Sequence, residues 1–181
     1  RFDDSRVKGD FRFIDNQITL DPLLPPMTQV NGVLQFSDSG IQVRDISAKF
    51  LGGPVKVRAD TRNGLVDVVA TGSLSVAPAK RHFQLPIFDS LSGSANWRAD
   101  VKVKKGAADI VVESTLGGLS SSLPAPFNKS ATETLPLRFQ KDSVPVVGGR
   151  KGETRDRIQF SLGKAANAQL LRRRDASGTL Q

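Results

Sequence analysis

Few side chains in this sequence are of the types that carry out acid–base or nucleophilic chemistry, and they do not cluster. The 181 residues include one histidine, His82, and no cysteine. Zinc and other soft metals therefore lack the thiolate and imidazole ligands that they prefer. His82 lies in a basic, proline-flanked segment with no nucleophile-elbow pattern near it, so no Ser-His-acid triad is indicated. We predict no catalytic residue, no metal site and no cofactor.

The remaining candidates for chemistry are carboxylates and one glycine-rich segment. The acidic residues fall in predicted turns or on the polar sides of predicted strands, and no calcium-binding loop of the EF-hand type is present. The segment from Gly148 to Thr154 contains Gly, Lys and Thr, but its lysine precedes the second glycine. A phosphate-binding loop has the opposite order. The sequence therefore predicts a protein that is not an enzyme.

A seven-residue pattern (apolar, any, Gly, any, apolar, any, apolar) occurs four times in the first hundred residues. It occupies residues 7–13, 30–36, 70–76 and 91–97. Because successive side chains of a strand point to opposite faces, each copy places its glycine and its apolar residues on one face. A strand unit that recurs at such short intervals is typical of repetitive β-architecture. Function is then expected along a surface and not in one pocket.

Turn signals and alternation divide the chain into predicted units. These are a first β-meander (1–76), a crossing loop (77–90), a second β unit with a Gly/Ser/Pro-rich loop (91–147) and final strands (148–181) that lead into a further part of a longer protein. Within the first unit, Asn63-Gly64 predicts a hairpin turn. A change of phase at Arg44-Asp45 predicts a β-bulge.

No long segment shows the 3.6-residue period of an amphipathic helix. We therefore predict an all-β fold: an extended, strongly twisted, mostly antiparallel sheet of repeated meander units, groove-like or partly rolled, with little helix. Such a sheet must cover its apolar face with another layer, by closing on itself, or with a ligand. Apolar loop residues beside prolines, such as Leu23, Leu85 and Ile87, either fold over this face as lids or pack under a sandwich core. Alternation alone leaves both open.

The formal net charge of +8 raises the question of an anionic partner. Lys102 and Lys104 alternate with valines and so belong to the polar face of a strand. Nucleic-acid platforms that stack bases need exposed aromatic residues beside the cations. Here tyrosine is absent, and Trp97 occupies an apolar position. We predict a solvated polar face and no nucleic-acid partner, with an anionic lipid or another envelope component as the alternative.

Two stretches carry a more specific signal. They are Val30–Phe36 with Gly52–Val57, and Leu91–Trp97 with Val111–Lys129. Both resemble the YhdP family, within the AsmA-like superfamily of Gram-negative envelope proteins, and the resemblance covers most of residues 5–140. It implies a very long protein, anchored in the inner membrane by an N-terminal helix and extending through the periplasm. Such proteins have a rolled, groove-like sheet and are associated with moving phospholipid toward the outer membrane.

The start at Arg1 and the lack of an 18-residue apolar stretch fit a periplasmic piece of such a protein. Its partners are then phospholipid and, through the rest of the protein, the inner and outer membranes. The predicted lipid-binding residues are Phe11, Phe13, Leu34, Phe36, Val57, Leu74, Trp97, Ile110 and Val112. Headgroup phosphates are expected at the open edge, near cations such as Lys102 or Arg138. Two alternatives stay open: a structural β module with a sealed core, and a basic domain that binds a polyanion such as lipopolysaccharide.

Overall fold

The structure is a computed structural model that describes residues 7–19, 25–105, 107–144 and 154–174. The strands are β1 (Lys8–Ile18), β2 (Met27–Ser37), β3 (Gly40–Phe50), β4 (Gly53–Arg62), β5 (Leu65–Ser75), β6 (Leu91–Lys104), β7 (Ala107–Ser114), β8 (Leu119–Ser121), β9 (Leu137–Val144), β10 (Thr154–Leu162) and β11 (Ala166–Arg174). An α-helix, α1 (Val76–Phe83), and a 3-10 helix (Pro86–Ser90) lie between β5 and β6. The predicted turn at 21–24 and loop residues 148–153 lie outside the described residues.

The strands form one antiparallel sheet in the order β1-β2-β3-β4-β5-β6-β7-β9-β10-β11, with the short β8 paired to β6. Almost every strand therefore lies beside the strand that precedes it in the sequence. The predicted all-β, antiparallel meander is confirmed. The sheet is continuous between the two predicted β units, because Leu65–Ser75 pairs with Ser94–Lys104 along its whole length.

The predicted turn and bulge are both present. Asn63 and Gly64 have φ values of 52° and 72° and connect β4 to β5. This left-handed pair matches the twist of the flanking strands, which is why Asn-Gly is favoured there. In β3 the register shifts between Val43 and Ile46, as predicted for Arg44-Asp45. The bulge keeps Val43 and Ile46 on the same face although they are three positions apart.

Residues 77–90, predicted as a crossing loop, form most of α1 and the 3-10 helix and connect neighbouring strands. Val76 and Ala79 of α1 are buried. Pro78 packs against the turn between β3 and β4, where a Cβ on Gly52 would lie 2.5 Å from the Pro78 Cγ. Eight residues with a proline in the first turn are too few to show a helical period, and therefore helix α1 was not predicted.

Two groups of buried apolar residues form the core. The larger group consists of Val30, Val43, Ile46, Ala48, Val55 and Ala59, from β2, β3 and β4. The smaller group consists of Val76, Ala95 and Leu119, which join α1 to β6 and β8. The smaller group lies at the end of the sheet formed by the turn 51–52 and α1, which we call the lower end. The larger group extends from this end past the middle of β3 and β4, to Val43 and Ala59. The opposite end, formed by the turns 38–39 and 63–64, is the upper end.

Candidate functional site: the apolar face of the sheet

All the predicted lining residues lie on one face of the sheet, which we call the apolar face. They are Phe11, Phe13, Leu34, Phe36, Val57, Leu74, Trp97, Ile110 and Val112. Directly opposed residues of paired strands point to the same side of a sheet. Phe11 lies opposite Leu34, and Gly72 of β5 lies opposite Trp97. The strand register therefore brings together residues of six strands that are far apart in the sequence.

Along β2, exposure of the apolar face increases from the lower end to the upper end. In β2, Val30 near the lower end is 0% exposed, whereas Phe36 near the upper end is 40% exposed. Phe11, beside it in β1, is 52% exposed. The other predicted lining residues, from Phe13 to Val112, are half-buried. The face is thus open to solvent at the upper end of β1 and β2, whereas Val43 and Ala59, in the upper halves of β3 and β4, are buried.

Two glycines of the repeated pattern accommodate aromatic rings from the neighbouring strand. A Cβ on Gly9 would lie 2.5 Å from the Phe36 Cζ, and a Cβ on Gly72 would lie 2.9 Å from the Trp97 Cζ2. Each ring therefore lies over the backbone of its cross-strand partner, in space that any side chain would fill. In both pairs the missing side chain of the glycine leaves a gap, and the aromatic ring of the residue opposite, in the neighbouring strand, fills that gap.

The cations expected to meet headgroups lie on the opposite, polar face. Lys102 is exposed there, and the Arg138 guanidinium donates hydrogen bonds to Glu113 and Gln140. Arg98, also on this face, donates to Asp100 at 2.8 and 2.6 Å and lowers the pKa of that carboxyl. Lys102 and Arg138 therefore lie on the polar face because their strand positions alternate with those of the lining residues. That headgroup phosphates meet them at the open edge stays a prediction.

A cleft of about 970 Å³ lies on the polar face across β4 to β10. Its charged lining residues are Lys56, Arg98, Glu113 and Arg138. Arg98 and Arg138 are held by the ion pairs just described, so their charges are largely offset within the cleft. Lys56 is exposed at its edge. Besides these charged residues, the cleft is lined by Gly72 and Trp97, so one of the predicted lining residues also borders it.

Sequence reasoning missed a charged cluster on the apolar face, formed by Lys141, Asp156 and Arg172. The Asp156 carboxylate lies 3.2 Å from the Lys141 Nζ and 2.7 Å from the Arg172 Nη2. Burial raises the pKa of Asp156, but the hydrogen bonds from Arg172 and Lys141 outweigh this effect and hold it below its usual value. A signal was present in β10, where Asp156 is in phase with the apolar residues Ile158 and Phe160.

A second buried cation was also missed. Lys129 is 8% exposed, and its ammonium donates hydrogen bonds to the carbonyl oxygens of Leu116 at 2.9 Å, Ser130 at 3.0 Å and Leu119. These bonds join the beginning and the end of the Gly/Ser/Pro-rich loop that follows β7. Lys129 stands in the stretch that carries the family resemblance, yet its type and spacing gave no indication of burial.

The loop residues that were considered as lids do not cover the apolar face where they are described. Leu85 is 53% exposed and Ile87 is 50% exposed. Phe88, within the 3-10 helix, instead packs against the smaller core group. Leu23 lies outside the described residues.

In the described part of the chain, no three His, Cys, Asp or Glu residues come together in a way that could hold a metal ion. Within those same residues, no helix is long and apolar enough to cross a membrane.

These features define a class of protein: an extended antiparallel meander with one half-exposed apolar face. The YhdP protein family model matches residues 1–181, and the chain belongs to the YhdP family. It is 28% identical over 145 residues to the intermembrane phospholipid transporter YhdP of Escherichia coli (strain K12). This match covers 75% of the present chain and 11% of that relative. No solved structure matches the chain.

Proposed function

We propose that this chain is a periplasmic segment of an inner-membrane-anchored lipid-transport protein, and that its apolar face shelters phospholipid acyl chains between the inner and outer membranes. Membership of the YhdP family and similarity to a phospholipid transporter support the class of function. The observation that carries the proposal is the half-exposed apolar face, which opens toward Phe11 and Phe36 at the upper end. No bond is made or broken in this role.

Acyl-chain contact follows from the energetics of apolar surfaces. Each CH₂ group removed from water contributes about 0.8 kcal/mol, so a continuous apolar strip binds tails along its length. The lining consists of aliphatic and aromatic side chains without a deep enclosed pocket among the described residues. Similar contacts at each strand allow a tail to move from one position to the next, since none holds it much more tightly than its neighbours.

Photo-crosslinking tests which face of the sheet contacts lipid. Benzoylphenylalanine would replace Phe36 or Val112 on the apolar face and, as matched controls, Gln35 or Val111 on the polar face. The purified chain would be incubated with phosphatidylethanolamine–phosphatidylglycerol vesicles, irradiated and analysed by mass spectrometry. We expect phospholipid adducts from Phe36 and Val112 and few from their neighbours. Equal labelling of both faces, or labelling only from Gln35 and Val111, would overturn the proposal.

One observation favours a second candidate function, the binding of a polyanion such as lipopolysaccharide. Lys56, Arg58, Lys102 and Lys104 are exposed on the polar face, in keeping with the net charge of +8. Exposed cations of this kind attract anionic polymers with an affinity that falls steeply as salt is added. A sealed structural module is less well supported, because the exposed rings of Phe11 and Phe36 leave the upper end of the apolar face open.

A further inference from the structure

We propose that Lys141, Asp156 and Arg172 form a phosphate-binding site at the upper end of the apolar face. We call this group the charged triad. When the phosphate belongs to a phospholipid, the inference rests on the function proposed above and specifies where the headgroup binds. It replaces the expected headgroup cations Lys102 and Arg138, which lie on the other face.

The position of the charged triad is fixed by the strand register. Asp156 lies opposite Arg172 in β11, and Lys141 of β9 lies opposite Ile158, the next residue of β10 on the same face. Farther down β10 the same face carries Phe160, opposite Phe139 in β9. Along these strands the apolar face thus changes from charged at the upper end to apolar below. A phospholipid with its tails against the apolar part would place its phosphate at the upper end.

The charge of the triad is unbalanced among the described residues. Two cations face one carboxylate, and Asp156 is 4% exposed. The low pKa of Asp156 keeps this carboxylate ionised at neutral pH, so a positive charge remains in excess. An excess charge in a poorly solvated position is unfavourable unless an anion offsets it. The site therefore favours a ligand that carries negative charge.

The donor groups suit a phosphate. Arg172 uses its Nη2 on Asp156, while its Nε is buried without a hydrogen-bond acceptor among the described residues. Lys141 donates to the Ala108 carbonyl oxygen at 2.9 Å, and the Ser143 hydroxyl donates to the same oxygen at 3.3 Å. The Ser143 hydroxyl has donated its one proton, so the donors for an oxyanion are the Lys141 ammonium and the Arg172 guanidinium, which meet at Asp156. Groups of these two types bind tetrahedral oxyanions with charge-assisted hydrogen bonds.

Two substitutions with opposite expected effects test the site. Lys141→Met leaves the Arg172–Asp156 pair intact and removes the excess positive charge, whereas Asp156→Asn increases it. Binding of dioctanoyl phosphatidic acid and of dioctanoylglycerol, which has the same tails and no phosphate, would be measured by calorimetry. We expect the unmodified chain to prefer phosphatidic acid by roughly 10-fold. This preference should disappear in Lys141→Met and increase in Asp156→Asn, while Arg138→Gln on the polar face should retain it.

Comparing the two lipids distinguishes failure of the phosphate site from failure of the proposed function. Binding of dioctanoylglycerol reports whether each variant is folded, so an unfolded variant is recognised by the loss of both ligands and is replaced by Lys141→Gln. Equal affinity of the unmodified chain for both lipids, or a preference unaffected by Lys141→Met, would overturn the site and leave the proposed function standing. If neither lipid binds the unmodified chain, the proposed function fails. Inorganic phosphate then tests the charged triad by itself. If the unmodified chain binds phosphate and Lys141→Met does not, the triad is a site for free phosphate. If the unmodified chain binds no phosphate, the proposed site is overturned.

Discussion

Lys129 is a buried cation whose hydrogen-bond partners are backbone carbonyl oxygens. The carbonyls of Leu116, Leu119 and Ser130 converge on its ammonium from both sides of the loop. The residue therefore organises the inside of the loop, whose contact with β6 is made separately by the strand residues Leu119–Ser121. Its role is to hold a loop shape, and no ligand is needed to explain its burial.

Replacing this ammonium with an apolar group of similar length should destabilise the protein. We expect Lys129→Met to lower the free energy of unfolding by about 2 kcal/mol, since the carbonyls lose hydrogen bonds to a charged donor. Urea denaturation followed by circular dichroism measures the change. Lys102→Met, at an exposed strand position, is the matched control and should change stability by less than about 0.5 kcal/mol. Equal effects of the two substitutions would contradict the assigned role.

The strands are held together so closely at some glycines that no side chain fits between them. A Cβ on Gly53, at the start of β4, would lie 1.9 Å from the carbonyl oxygen of Ser73 in β5. Gly53 is buried, and backbone atoms cannot move aside as a flexible side chain does. This contact brings β4 and β5 together at the lower end, where the larger core group is most completely covered.

We therefore expect Gly53→Ala to destabilise the fold by about 3 kcal/mol, at the upper limit of the usual cost of overpacking. Gly117→Ala is a suitable control, because a Cβ there would meet its nearest neighbour, the Thr115 Oγ1, at an ordinary 3.4 Å. The melting temperatures of the two variants, measured by differential scanning calorimetry, should differ clearly. If Gly53→Ala is as stable as Gly117→Ala, β4 and β5 can move apart at this point without lowering the free energy of unfolding.

At the scale of elements, the sequence predicts what depends on local pattern. Alternation identified the strands, and Asn63-Gly64 and Arg44-Asp45 identified a turn and a bulge, because each depends on a few adjacent residues. Helix α1 was missed since eight residues show too little periodicity. Lys129 and the charged triad were missed for another reason. The burial of Lys129 depends on how its loop folds back on itself. That of the charged triad depends on the register of β9, β10 and β11, which no single segment of the sequence determines.

The whole molecule separates two kinds of surface across a single sheet. One face is apolar and opens at the upper end, where Phe11 and Phe36 are exposed. The other carries exposed cations such as Lys56 and Lys102, together with surface ion pairs. The two proposed functions use different faces, and their driving forces respond differently to salt. Burial of acyl chains depends weakly on moderate salt, whereas the attraction of exposed cations for a polyanion is screened within about 10 Å at 0.1 M.

Raising sodium chloride from 0.05 to 0.5 M should therefore leave the amount of co-purified phospholipid per chain within roughly 2-fold, since tails held on the apolar face are not screened. Over the same range, binding of dextran sulfate, a reference polyanion, should fall by roughly 10-fold or more. Native mass spectrometry measures bound lipid and calorimetry measures dextran sulfate binding. A parallel loss of both would place lipid on the cations of the polar face and make polyanion binding the better account. If lipid is retained while dextran sulfate is lost, the two ligands bind different faces of the sheet. A single binding face would lose or retain both together.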